Sequence, residues 1–185
     1  MELLQDYIKI FDNVISHELC DEIILEYNNL EEWCPSETSY GLHRNIRNCE
    51  SINISSLKQI SKNKILREKI DNILYKSFSN ILIDLQKDFN HLIISQDSGY
   101  SLLKYEKDQF YVQHVDNSTK NPRTLSCSLC LNDDYDGGEF AFFDRTLKYK
   151  LKKGSAITFP SNFMYPHEIL PVTKGTRYSI ITWFT

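Results

Sequence analysis

Few of the features that commit a chain to a specialised class are present here. Cysteine is sparse and odd in number, at five, with no spacing that reads as a disulfide framework, and this fits a reducing compartment. Cys127-x-x-Cys130 has a spacing seen in zinc sites, but residues three apart on a strand face opposite sides, so both read as packing residues. A basic excess is lacking too: the formal net charge of −4 argues against a broad nucleic-acid footprint, which needs a clustered cationic face. The exception, Lys148 to Lys153, reads as a solvated or edge-protecting strand face. No apolar run is long enough to span a bilayer, and Met1 to Asp6 has neither the basic start nor the apolar core of a secretory signal. A soluble cytoplasmic protein is therefore expected, with neither membrane nor nucleic acid as partner. With 41% hydrophobic and 25% charged residues the composition is globular, without signs of disorder or collagen-like repetition. At 185 residues the chain is long enough for one domain with a sizeable core.

What is present changes texture along the chain. Ile8 to Phe11 reads as a short strand, and Ser16 as the N-cap of a helix whose apolar positions Cys20, Ile23, Ile24, Tyr27 and Leu30 recur at helical spacing. Ser36 to Asn53 shows no convincing period and reads either as a lid or as an irregular connection with solvated arginines. From about Asn63 to Asn90 a long helical stripe includes Leu66, Ile70, Leu74, Phe78, Ile81 and Leu85, suited to packing on a sheet. Short alternating runs broken by Gly-containing turns follow from Tyr100 onward. Helices first and then some seven strands predict an α+β domain with two facing antiparallel sheets, residues 1–98 acting as a helical support region and 99–185 as the strands that carry the chemistry.

Three side chains in the strand-rich half have the types and order of a metal site. In Phe110 to Asp116, side chains two apart share a face, so His114 and Asp116 project together. A second imidazole, His167, lies about fifty residues on and completes a 2-His-1-carboxylate set, which leaves open positions on iron(II). Arg177 then opens a strand that places Arg177, Ser179, Ile181 and Trp183 on one face. A guanidinium fork beside a hydroxyl suits a carboxylate. His17, His43 and His91 read as surface or packing histidines.

Together His114-x-Asp116, His167 and Arg177 resemble the iron(II)/2-oxoglutarate dioxygenases, and within them the prolyl 4-hydroxylase-like branch. Supporting pieces are Tyr105, Leu131 to Phe140, Gly154 to Ser161, Pro171 to Arg177 and, near the start, Phe11 to Cys20. The resemblance implies a double-stranded β-helix, or jelly roll, with N-terminal helices packed on one sheet. It implies Fe(II) on His114, Asp116 and His167, 2-oxoglutarate held by Arg177 with Ser179 and Tyr105, O2 as co-substrate and ascorbate as a candidate reductant. It also implies hydroxylation of a C–H bond, first of all on a prolyl residue of a peptide or protein, with release of succinate and CO2. A free amino acid or small metabolite is the alternative substrate, and a non-catalytic cupin-like metal-binding protein the alternative class. Tyr111, Arg123 and Trp183 match positions that line the peptide-facing mouth in prolyl hydroxylases; as plain residues they read equally as packing, turn and core. Cys130 stands where the animal oxygen-sensing enzymes place a tyrosine beside the arginine, and a thiol is a poor substitute for that hydrogen bond.

Overall fold

The computed structural model describes residues 3–57 and 63–185; Met1 and Glu2, at the head of the N-terminal segment read above, lie outside them. After a 3-10 turn at Leu4–Tyr7, the chain forms β1 (Lys9–Phe11), α1 (His17–Asn28), β2 (Cys34–Pro35), β3 (Arg47–Asn48), β4 (Glu50–Asn53), α2 (Ile54–Leu57) and α3 (Lys64–Asp88). The strand-rich half holds β5 (Ser101–Tyr105), β6 (Phe110–His114), β7 (Leu125–Cys130), β8 (Asp136–Gly137), β9 (Phe140–Phe142) and β10 (Leu147–Tyr149). It ends with β11 (Ala156–Pro160), β12 (His167–Ile169), β13 (Val172–Lys174) and β14 (Arg177–Phe184).

Among the described residues the strands form a seven-stranded sheet in the order β1-β11-β7-β14-β5-β4-β2 and a five-stranded sheet in the order β10-β9-β12-β6-β3, with β13 and β8 pairing separately. All pairings are antiparallel. This is the double-stranded β-helix. The first 98 residues contribute more than helices, because β1, β2 and β4 extend the larger sheet and β3 the smaller. These strands run two to four residues, too short to show an alternation in the sequence.

The larger sheet is buried on both faces. On one, Leu125, Cys127, Leu129, Tyr178, Ile180 and Phe184 pack with Ile23, Tyr27, Ile70, Leu74 and Phe78 of the helices. On the other, Leu103, Tyr105, Cys130, Ile157 and Phe159 meet Phe140, Phe142 and Ile169 of the smaller sheet. Alternation makes this possible: every residue of β7 is buried, odd positions toward the helices and even ones between the sheets. Cys127 and Cys130 thus lie in different cores.

Both long helices have local causes. Ser16 Oγ accepts the Leu19 amide at 3.2 Å and caps α1. α3 buries Ile70, Leu74, Phe78, Ile81 and Leu85 at helical spacing, but it also buries Arg67. Arg67 Nε donates to Glu26 of α1 at 2.7 Å, both side chains less than a tenth exposed. The lysine run keeps an exposed face, with Lys148, Lys150 and Lys152 exposed and β10 at a sheet edge, and two of its members also make ties: Lys150 Nζ donates to the Tyr135 carbonyl and Lys153 Nζ to Asp21 at 2.6 Å.

Candidate metal centre

β12 is the strand that assembles the site. It pairs with β6 so that His167 lies opposite His114. Asp116 lies two residues beyond the end of β6, not within a continuous strand as its alternation suggests. The chain leaves the ladder there because the Asn117 amide donates to the Ser161 carbonyl at 2.8 Å and the Asp116 carbonyl accepts from Arg123 at 3.2 Å. Asp116 still converges on the imidazoles: its Oδ1 lies 3.4 Å from His114 Nε2 and its Oδ2 3.6 Å from His167 Nε2. The three ligand atoms lie within 4.8 Å of one another.

The hydrogen bonds behind these groups set their chemical state. His114 Nδ1 lies 2.9 Å from the Val112 carbonyl and His167 Nδ1 3.1 Å from the Tyr165 carbonyl. A carbonyl only accepts, so each Nδ1 carries a proton and Nε2 is the ring nitrogen that each imidazole turns toward Asp116. Burial, reinforced by the neighbouring His114, pushes the His167 pKa down to about 4, so this ring is neutral near pH 7. Burial alone would raise Asp116, yet the charge that His167 carries in acid, the neighbouring His114 and a hydrogen bond from Ser126 outweigh it and hold the carboxyl well below its ordinary range. Ser126 Oγ donates to Asp116 Oδ2 at 2.6 Å and meets Ser161 Oγ at 2.8 Å. Two imidazole Nε2 atoms and an ionised carboxylate, each oriented from behind, form the donor set a divalent iron takes. The residues present therefore fit such an ion.

The site opens onto a cavity whose wall includes Tyr105, Phe140, Phe159, Arg177, Ser179 and Ile181. Arg177 is 2% exposed and its Nη1 donates to Ser179 Oγ at 2.9 Å. Its Cζ lies 5.2 Å from the Tyr105 ring centre and 5.4 Å from that of Phe140. No ion pair among the described residues involves Arg47, Arg123 or Arg177. A buried guanidinium without a counter-charge is costly unless a carboxylate arrives. Gly138 explains how the arginine fits: at φ +67° it passes so close that an added Cβ would lie 3.0 Å from Arg177 Cδ and 3.0 Å from the Tyr135 ring.

Every residue singled out from the sequence is in this region. Tyr111 stacks on His114, ring centres 3.5 Å apart. Arg123 lies over Trp183, Cζ to ring centre 3.5 Å, and with Tyr111 both line a neighbouring cavity. Cys130 sits next to Ser179 in register, but its Sγ donates to the Asn132 carbonyl at 3.0 Å, away from the cavity. The ring beside Arg177 on that side is Tyr135, buried and with its pKa pushed up to about 12, chiefly by burial. Tyr135 and Ser161 lie in stretches that carry the resemblance and Arg47 in the stretch without a period, but neither they nor Ser126 stand out there as site residues, since it is the folded arrangement that brings them to the site.

Residues 100–185 match the 2OG-Fe(II) oxygenase superfamily. The chain is 30% identical over 137 residues to human prolyl 3-hydroxylase 1, a match covering 64% of this chain and 18% of that protein. The chain thus spans under a fifth of the length of that curated relative. It is also 30% identical over 94 residues to a PKHD-type hydroxylase of Idiomarina loihiensis, covering 48% and 42% of the two. In fold it superposes with a TM-score of 0.81 on a Trichoplax adhaerens prolyl hydroxylase solved with a hypoxia inducible factor peptide, at 16% identity, covering 96% of this chain and 83% of that one.

Proposed function

Because residues 100–185 match the 2OG-Fe(II) oxygenase superfamily, we propose that the chain is an Fe(II)- and 2-oxoglutarate-dependent dioxygenase that hydroxylates a prolyl residue of a peptide or protein. The observation that carries this reading is the convergence of His114, Asp116 and His167 at the floor of a cavity that also holds the unpaired guanidinium of Arg177. The three ligands would hold Fe(II). Arg177 and Ser179 would receive the distal carboxylate of 2-oxoglutarate, the fork supplying charge and direction together. Tyr105 closes that side of the pocket. Leu103, Phe140, Phe159, Ile169 and Ile181 exclude water from the reacting groups.

The chemistry that Fe(II) supplies when bound is the coupling of 2-oxoglutarate decarboxylation by O2, giving succinate and CO2, to insertion of one oxygen atom into a substrate C–H bond. The chain orients the reactants around it. The Nε2 atoms would serve as ligands, Ser126 holds the carboxylate, and Tyr111, Arg123 and Trp183 would receive the substrate. A prolyl substrate is supported by the names of the relatives and by the aromatic rings beside the ligand set. Residues 1–98 are proposed as support for the site, since their helices back the larger sheet and their strands extend both.

Anaerobic addition of Fe(II) and 2-oxoglutarate tests the site: a visible charge-transfer band is expected in the wild type and not in Asp116→Ala. Its absence from the wild type rejects the iron reading. With air and ascorbate, a Pro-containing peptide should stimulate succinate release and gain one oxygen on proline by fragment mass spectrometry, and free L-proline should do neither. A free amino acid that outperforms the peptide removes the peptide assignment alone.

A further inference from the structure

Outside the ligand set lies a second cavity of about 180 Å³, lined by Arg47, Tyr111, Asp116, Arg123, Trp183 and, at its rim, Glu37. Arg47 lies on β3, paired with Tyr111 of β6. Its Cζ stands 4.8 Å from the Tyr111 ring centre, its Nη1 donates to the Glu37 carbonyl at 2.9 Å, and its Nε is buried without a hydrogen-bond partner among the described residues. Arg123 is held in the same manner, over the Trp183 ring and with Nη1 on the Asp116 backbone carbonyl. An aromatic face and a backbone carbonyl orient a guanidinium without cancelling its charge. The carboxylates lining this cavity are Glu37, which is exposed, and Asp116, whose oxygens are turned to His114 and His167. Tyr111 touches both Arg47 and His114, so the first cation stands one ring away from a metal ligand.

We propose that Arg47 and Arg123 form a carboxylate-binding subsite, and that the favoured substrate carries a carboxylate within about one residue of the carbon oxidised at the metal. This rests on the dioxygenase reading above. Two planar forks at one polar cavity match a carboxylate better than an amide, because each can give paired charge-assisted hydrogen bonds to its oxygens. The carboxylate has two sources in a peptide: an Asp or Glu beside the oxidised residue, or a C-terminus at that residue.

Binding measured by calorimetry on the Mn(II)- and 2-oxoglutarate-loaded protein under nitrogen needs no turnover. Three peptides separate the sources: an end-blocked one with Asp beside proline, its Asn counterpart, and a Pro-ending peptide with a free C-terminus. At least one carboxylate peptide should bind about tenfold more tightly than the Asn peptide. That advantage should shrink at high salt, disappear in Arg47→Gln and return in part in Arg47→Lys. Whichever carboxylate peptide binds better identifies the source. Equal affinity for all three in the wild type, or no measurable binding of either carboxylate peptide, overturns the subsite. Since the comparison uses the wild-type protein, a misfolded variant cannot decide it. A missing charge-transfer band with the carboxylate preference intact would remove the iron reading and leave the subsite; the band with equal affinities would do the reverse.

Discussion

Tyr111 lies nearly flat on His114, the two rings 3.5 Å apart at their centres and 16° from parallel. The pair joins the metal centre to the mouth of the cavity, and it gives the ligand imidazole an aromatic wall in addition to its hydrogen bond to Val112.

Removing that wall should loosen the metal. Tyr111→Ala is expected to weaken Fe(II) affinity by about tenfold, in the range for loss of groups that orient a ligand, whereas Tyr111→Phe keeps the stack and should stay near wild type. Anaerobic Fe(II) titration distinguishes the two, and equal losses would mean that the hydroxyl, not the ring face, matters.

The anchor should depend on the shape of its fork and not on charge alone. Arg177→Lys keeps a cation but loses the paired donors, so about 1.5–3 kcal/mol is at stake, on the order of ten- to hundredfold in the apparent affinity for 2-oxoglutarate. An unchanged Michaelis constant for 2-oxoglutarate would place the anchor elsewhere, with Lys104 the next residue to test.

Far from the cavity, the buried pair between Arg67 and Glu26 should govern stability. Arg67→Met leaves a carboxylate buried against α3 without its partner, and about 3–5 kcal/mol of folding free energy should be lost. Arg67→Met combined with Glu26→Leu removes the orphaned charge and should recover most of it. Denaturant unfolding of the metal-free protein measures both; full loss in the double variant would show that packing, and not charge, is at issue.

Acid should weaken the metal-free protein through His167. Its folded-state pKa of about 4 lies below the ordinary value of 6.5, so between these limits the unfolded chain takes up the proton more readily than the folded one. Stability from this group therefore declines as pH falls from about 6.5 to about 4 and levels off below. His167→Gln should flatten that part of the curve, as read from urea midpoints across the same window.

The convergence of His114, Asp116 and His167 beside Arg177 was legible because these are residue types that chemistry constrains, in an order and spacing that survive without knowledge of the fold. Helices α1 and α3 were legible from apolar periodicity. Arg67 broke that pattern, since a basic residue on a buried stripe makes sense only once Glu26 is seen across from it. Ser126 looks like an ordinary strand serine and Ser161 like a loop serine just past β11, and the fold alone sets them behind Asp116. Arg47 belonged to a stretch without periodicity, and its place beside Tyr111 comes from two residues of edge pairing. What local pattern could not convey was which strands become neighbours.

Strand β7 has no outer surface: all six of its residues are buried, Cys127 and Leu129 against the helices, Ser126 on the metal-binding carboxylate. A substitution there meets either the support of the fold or its chemistry, separated by the thickness of one backbone. Most strands in a protein of this size can accumulate neutral changes on a solvated face. Here that freedom is absent, so sequence drift in descendants of this chain must pass around Leu125 to Cys130, through the exposed ends of the helices and the loops at the mouth.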